Sequence, residues 1–327
     1  MAEITVLNDQ EVSELVSFDE NLRLIELAFS DYSLGKSHAY PVIRERVEKH
    51  SGIFGVKSGY IEAQAALGFK AGGFWAGNKE KGLPNHQSVI MLFHPSTGQP
   101  RALIAANFVT QIRTAAIGAI GCKYLARPDS RVLTVVGAGQ QGRNQLEATL
   151  RVMPALEKIY ICDLYPASAE ALACDMAHHP QKIGVSDNIA EACSHSDVII
   201  TATSSYKAIV MDEWIKPGTH INAIGTDTRG KQELDPRIFA RATVVVDDLT
   251  QCCYLGECQH AYDAGIISRD SIHAQIGELI SGRKRGRSTP TEITVFDTTG
   301  VAIQDLATAG YALEEALKKG MGTKITL

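Results

Sequence analysis

The residues of this chain best suited to chemistry are three glycines and an aspartate set around an apolar strand. Val132-Leu-Thr-Val-Val136 is a continuous apolar run that reads as a buried strand, and Gly137, Gly139 and Gly142 follow it as a complete GxGxxG. The next ten residues, Arg143 to Val152, have helical character. In that setting the first glycine allows a tight turn, the second lets the backbone approach a pyrophosphate, and the third lets helix and strand pack closely. Phosphates then rest on the helix N-terminus, where unpaired N–H groups and the helix dipole favour anions. A second apolar run, Lys158–Cys162, ends at Asp163. That residue lies about 20 positions on, where a partner for a ribose hydroxyl belongs. A GxGxxG alone is a weak signal, and its plain alternative is a structural turn in another βαβ unit. Strand, helix and acidic residue together predict a dinucleotide site. A carboxylate at Asp163 also repels a 2′-phosphate, and Leu164, Tyr165 and Pro166 supply no cation to hold one, so NAD is expected rather than NADP.

Composition narrows the class. The 327 residues are 45% hydrophobic and 21% charged, as in a water-soluble globular protein with ample core. A formal net charge of −5 gives no reason to expect nucleic acid or an acidic membrane as partner. The basic run Arg283-Lys-Arg-Gly-Arg287 reads as a solvated loop. The first residues lack the pattern of a signal peptide, and no apolar run reaches membrane-spanning length. Seven cysteines without regular spacing point to a reducing cytoplasm. Cys252, Cys253, Cys258 and His260 cluster in sequence but lack CxxC spacing, so buried thiols are expected there and no metal.

The elements that must position these residues follow from periodicity. Residues 1–35 read as a short strand and then helices, with Ser17-Phe-Asp-Glu20 spaced as a capping box and Gly35 placed to end a helix. From about 40 to 107, short partly alternating strands are separated by Gly, Pro and Asn, which predicts an antiparallel or mixed sheet. Thr110 is expected to cap a helix running to about residue 126. Beyond Asp163, strands at 198–202, 220–224, 243–247 and 293–296 alternate with helices, the pattern of a parallel sheet covered on both faces. Ile303, Leu306, Gly310, Leu313 and Leu317 mark a final helix whose apolar face must bury, best against the N-terminal sheet. The fold class expected is α/β: a Rossmann-type doubly wound parallel sheet, 126–299, inserted in an α+β substrate and dimerisation domain, 1–125 completed by 300–327.

Several further segments stand in a distinctive order: Gly68-Phe-Lys70, Leu83-Pro-Asn-His-Gln87, Gln111-Ile-Arg-Thr-Ala-Ala116, the glycine loop, Asn222-Ala-Ile-Gly-Thr-Asp227, Glu233-Leu-Asp235 and Phe296-Asp-Thr-Thr-Gly300. From about residue 40 to 310 the chain resembles the ornithine cyclodeaminase/mu-crystallin family. The resemblance implies hydride transfer between nicotinamide and the α-carbon of an amino or imino acid. It covers cyclodeaminases, alanine dehydrogenase and reductases of ketimines, pyrroline-2-carboxylate and iminosuccinate, and also non-enzymatic nicotinamide-dependent binding proteins.

The resemblance places the α-carboxylate of such a substrate on Arg113 and Arg44, and the guanidinium fork suits a carboxylate. Arg46 competes with Arg44, being two residues on along the same strand face. Lys70, among small neighbours, is placed to donate a proton or polarise an imine. Asp227, after a strand end, is placed to handle the proton on the substrate nitrogen. Together these make Lys70 and Asp227 the catalytic pair and Arg44, Lys57, His86 and Arg113 the substrate contacts. The cofactor-facing set is Thr114, Gly137, Gly139, Gln140, Gln141, Gly142, Asp163, Thr203 and Thr226, with Asn222 a more structural neighbour. The plain alternatives are surface ion pairs for the arginines, a solvated strand lysine, and a turn or cap aspartate. A cyclodeaminase is expected to carry an acidic residue where this chain has Lys57, thirteen residues before Lys70. Lys57 would repel a cationic side chain and suits a second carboxylate. Asp297 and Thr298 also depart from the family's commoner Lys-Ser pair, at a loop expected near the nicotinamide. The expected activity is NADH-dependent reduction of an imino acid, with iminosuccinate the best substrate, by a cytoplasmic homodimer.

Overall fold

The computed structural model describes residues 3–327, and the chain separates into two compact units, 1–113 with 301–327, and 114–300. The first unit is built on one mixed sheet of eight strands. Its order runs Thr323–Thr326, Glu3–Leu7, Pro100–Ala105, His86–Phe93, Ala66–Trp75, Gly52–Ile61 and Ser37–Ala39, and Ile43–Val47 also pairs with Gly52–Ile61. Only the pairing of Glu3–Leu7 with Pro100–Ala105 is parallel.

One face of this sheet is covered by the helix Ala302–Lys319, which packs on Gly52–Ile61, Ala66–Trp75 and the helix Phe18–Ser33. Ile303, Leu306 and Leu313 are buried, whereas Leu317, two turns past the contact of Gly310 with Ala66, is 45% exposed. The close approach needs Gly68: a side chain there would collide with the Met91 carbonyl and crowd Leu306. The opposite sheet face alternates with it and stays bare in the single chain. Ile43, Val56, Ala71, Val89 and Ala105 form one row across it, and Ile43 and Val89 are 58% and 42% exposed.

The second unit is a parallel sheet in the order Lys182–Val185, Lys158–Cys162, Val132–Val136, Val198–Thr201, His220–Ala223, Ile293–Asp297, Ala242–Val246, Ala274–Gln275. The first five strands have the doubly wound arrangement that reverses direction beside Val132–Val136. The inner strands Val132–Val136, Val198–Thr201 and His220–Ala223 are buried along almost their whole length, as cover by helices on each side demands. A separate two-stranded parallel piece joins Tyr206–Val210 to Gln232–Leu234.

Local details differ from expectation where distant residues intervene. The helix expected from Thr110 begins at Asn107, because the Asp9 carboxylate accepts the Phe108 N–H at 2.9 Å. The Thr110 hydroxyl instead donates back to the Ala106 carbonyl at 2.7 Å. Ser17 caps Glu20, but the Glu20 side chain turns to Arg23, so the capping box is half formed. In the basic run, Arg283 to Arg285 are exposed, but Arg287 is half-buried and ties the Leu125 carbonyl to Thr294. No described helix is long and apolar enough to cross a membrane.

Candidate active site

In the second unit the glycine loop links Val132–Val136 to the helix Gln140–Val152. Gly137 has φ +104, and a side chain on it would stand 2.6 Å from the Ala202 carbonyl. At Gly142 a side chain would collide with the Gly137 carbonyl, while at Gly139 it would meet nothing within 4 Å. The first and third glycines are thus closed by protein, and the second faces open space at a helix start with no side-chain cap. That is a cradle a Cβ would fill, and it fits a pyrophosphate. Asp163 receives the Ala138 N–H at 2.7 Å on one carboxylate oxygen and the Tyr165 N–H at 2.9 Å on the other. The carboxylate is held in place, with lone pairs left for ribose hydroxyls. Leu164 and Tyr165 beside it are 86% and 68% exposed, an apolar border without a cation.

The other residues assigned to the cofactor lie in the same unit. The Thr114 carbonyl accepts from the Gln145 side chain at 2.6 Å, and Gly118 is required for that helix contact. Gln140 is exposed and Gln141 half-buried at the helix start. Thr203 and Thr226 follow the ends of the strands Val198–Thr201 and His220–Ala223. The Thr203 N–H donates to Glu233, and the Thr226 hydroxyl lies 2.5 Å from Glu257. Asn222 is fully buried between His220 and the Gly118 carbonyl. Asp227 is partly exposed, with one oxygen 3.1 Å from both the Lys231 ammonium and the Thr228 hydroxyl. Lys231 and Glu257 belong to the surroundings that the sequence did not single out, whereas Glu233 stood in a distinctive segment without an assigned role.

Asp297 and Thr298 have a clear structural role. Both are buried; Asp297 accepts the Cys258 N–H at 2.9 Å, and Thr298 donates to Asp247 at 2.7 Å. Burial pushes the Asp297 carboxyl up to about 7. The Cys252 thiol points at Asp247, and among the described residues no group of three or more His, Cys, Asp or Glu could hold a metal.

The first unit gathers charge at one point. Lys57 and Lys70 stand directly opposite on neighbouring antiparallel strands, and both are buried. Like charges so placed repel. Between Lys70 and Arg113 lies Asp305, which the sequence reading missed. Its Oδ1 accepts from Lys70 Nζ at 2.7 Å and from Arg113 Nε at 3.1 Å. Lys70 also reaches the Thr110 hydroxyl at 3.2 Å. The Oδ2 of Asp305 is buried with no partner among the described residues. The available signal was a lone acid embedded between Ile303 and Leu306 of an apolar helix face.

Lys70 and Arg113 therefore share one carboxylate, and the charge of Lys57 is felt there as well. Burial lowers Lys70 to about 7, with Asp305 holding it up against Arg113 and Lys57. Burial pushes Asp305 up, but the charges of Lys70 and Arg113 outweigh it and keep it below the usual carboxylate range. His86 bonds Asn107 at 3.3 Å, and burial together with Lys70 and Arg113 drives it down to about 4, so it is neutral near pH 7. Arg44 is half-buried and pairs in register with Gly55, on the face that carries Lys57; Arg46 is exposed. The structure thus brings Lys57, Lys70 and Arg113 around Asp305, with His86 in their field and Arg44 on their sheet face.

Known proteins share this plan. The profile of the ornithine cyclodeaminase/mu-crystallin family matches residues 2–320. An alanine dehydrogenase of Archaeoglobus fulgidus is 41% identical over 99% of this chain and 98% of its own. An iminosuccinate reductase of Paracoccus denitrificans is 37% identical over 98% and 99%, and its structure with NAD+ superposes with a TM-score of 0.92. The structure of a Thermococcus litoralis Δ1-pyrroline-2-carboxylate reductase with NADH and L-proline is 34% identical, covers 98% of this chain and all of that one, and gives a TM-score of 0.94. The chain belongs to the ornithine cyclodeaminase/mu-crystallin family, and its cofactor is NAD.

The Asp163 geometry yields a test of cofactor choice. Wild-type protein is expected to show higher kcat/KM with NADH than with NADPH, and Asp163→Ser with Leu164→Arg should shift that ratio toward NADPH by tenfold or more, on the order of one good charge-assisted pair. Steady-state kinetics with both cofactors decide it.

Proposed function

We propose that this chain, an NAD-dependent oxidoreductase acting on imino and amino acids, reduces a dicarboxylic imino acid, with iminosuccinate to L-aspartate the best match. The observation that carries this reading is the placing of Lys57, buried and directly opposite Lys70 on the sheet face of the charged cluster. A substrate with one carboxylate answers Arg113, with Arg44 beside it. A second carboxylate answers Lys57, which stands opposite Lys70. Two unit charges at ~4 Å interact by about 1–4 kcal/mol depending on screening, enough to select between substrates.

Bound NADH supplies the hydride to the imine carbon. The residues of this chain bind, orient and manage protons. Arg113 and Arg44 hold the α-carboxylate, and His86, neutral, contacts the substrate without adding charge. Lys70 keeps the substrate nitrogen protonated, so its carbon is electron-poor, and Asp227 stabilises the positive nitrogen. As the C=N π bond breaks, its electron pair stays on nitrogen and the proton remains there, giving the amine. Asp305 is the residue that keeps Lys70 charged.

Pyrroline-2-carboxylate is the chief rival, supported by the relative solved with proline; an alanine-dehydrogenase-like activity on a monocarboxylic imine is a further one. Neither provides a distal anion for Lys57, and an ornithine-type substrate would bring a second cation to it. The intact Lys70, Arg113 and Asp227 set favours catalysis over a purely binding role. A cytoplasmic setting is consistent with seven free cysteines. The bare apolar sheet face is proposed to pair with that of a second copy, as the helix Ala302–Lys319 lies on the other side; the related archaeal alanine dehydrogenase, 40% identical, was solved as a dimer.

Three outcomes are expected. Purified protein should oxidise NADH steadily with oxaloacetate and ammonia, which form the imine in solution, and Lys57→Ala should cut this by tenfold or more while sparing monocarboxylic imines. Far better turnover of pyrroline-2-carboxylate by the wild type would transfer the assignment to the rival. The pH profile of reductive kcat/KM should fall on the alkaline side near pH 7 as Lys70 loses its proton; Asp305→Asn, which removes the group holding Lys70 up, should move that limb to lower pH. An unmoved limb would reduce Asp305 to a packing residue. Light scattering at micromolar concentration should give a dimer, and Val89→Glu a monomer.

A further inference from the structure

Two glutamates lie fully buried under the strand ends of the second unit, and no lysine or arginine is paired with either among the described residues. Glu233, from the Glu233-Leu-Asp235 segment, accepts the Thr203 N–H at 2.6 Å on Oε1, and the Thr201 hydroxyl at 2.7 Å and Gly225 N–H at 3.0 Å on Oε2. Glu257 accepts the N–H groups of Glu233 and Leu234 at 2.9 and 2.7 Å on Oε1, and its Oε2 lies 2.5 Å from the Thr226 hydroxyl. The pair therefore cross-links the loops after Val198–Thr201 and His220–Ala223, which carry Thr203, Thr226 and Asp227. Gly225 has to be glycine, since a side chain would stand 2.5 Å from both Glu233 and the Thr203 carbonyl.

The two acids differ in one respect. Both oxygens of Glu233 face N–H or hydroxyl donors, so its surroundings suit a carboxylate, against the burial that raises it. Glu257 has backbone donors on one oxygen only, and a hydroxyl, able to accept as well as donate, on the other. Two neighbouring buried carboxyls without a cation do not both ionise readily. We propose that Glu233 and Glu257 are positioning residues for the cofactor-side loops, and that Glu257 carries a proton which it donates to the Thr226 oxygen, leaving the Thr226 hydrogen free to point at the cofactor. This rests on Thr226 facing NAD. Burial, with the Glu233 charge next, raises Glu257 to about 8, consistent with a proton held at neutral pH. The other titratable groups facing Glu257 are Cys258 and Asp297, the latter bonded to the Glu257 and Cys258 backbone. Lys231 is turned to Asp227 and the Gly225 carbonyl.

The test uses rescue and pH. A glutamine at 257 repeats the protonated pattern, one acceptor and one donor; at 233 it sets an amide against donors. Glu257→Ala and Glu233→Gln should each raise the NADH Kd at pH 7 by tenfold or more, and Glu257→Gln should restore it to within threefold of wild type. From pH 7 to 9.5 the wild-type Kd should rise at least fivefold, and that of Glu257→Gln should stay flat. Thermal melts read the pair without cofactor. A carboxyl raised in the folded state costs stability as pH climbs from its unfolded value to its folded one. The Tm of Glu257→Gln should therefore gain on wild type between about pH 5 and 8 and hold level above; the difference cancels the titration of Asp297. Parallel Tm curves, or a Glu257→Gln variant as impaired as Glu257→Ala, would overturn the proposal. If NADH fails to bind the wild type at any pH, the cofactor assignment falls, and the melts still judge the pair.

Discussion

The Asp305 carboxylate is the contact on which the first unit turns. It sits on a helix at the far end of the chain, yet among the described residues it is the only counter-charge bonded to both Lys70 and Arg113. Burying two cations without it would leave each uncompensated, at a cost of several kcal/mol per ion. Its reach depends on how near the helix Ala302–Lys319 can lie to the sheet, which Gly68 permits. Close helix packing, the state of the lysine proton and the aim of the arginine fork are therefore one constraint.

The second unit handles charge in the opposite sense. There four carboxylic acids are fully buried: Glu233, Glu257, Asp247 and Asp297, at or behind the strand ends. They are satisfied mostly by backbone N–H, hydroxyl and thiol groups in place of cations. Acids used this way act as multi-point acceptors that fix loops which lack regular structure. That arrangement gives Asp297 and Thr298 a local purpose. They fasten the segment after Ile293–Asp297 to the Leu249–Leu255 and Cys258–Asp263 helices.

What could be read from the sequence followed the range of the interaction. The glycine loop, Asp163 and the parallel strands 132–136, 158–162, 198–201 and 220–223 were legible because turn chemistry and continuous apolar runs are local signals. The strand Lys182–Val185 was not, being short, half-exposed and interrupted by glycine. The start of the Asn107 helix was hidden because its first donor is answered by Asp9, about a hundred positions away. Lys70 and Arg113 stood out through the company of their motifs. Asp305 was not, since no spacing rule relates residues 70, 113 and 305. Arg287 looked solvated within its basic run, but tertiary packing draws it inward.

The sheet of the first unit also carries a consequence for sequence change. Its charged face and its bare apolar face are written in the same strands, one residue out of step: Val56 beside Lys57, and Lys70 beside Ala71. Neighbouring side chains on a strand point to opposite faces, so inserting or deleting one residue inverts every side chain beyond it. Such a change in Gly52–Ile61 or Ala66–Trp75 would expel the lysines to the outer face and drive apolar side chains into the charged cluster. Substitutions can alter either face by itself, but length cannot vary here; tolerance to insertions belongs to the exposed turns, such as the one around Gly98.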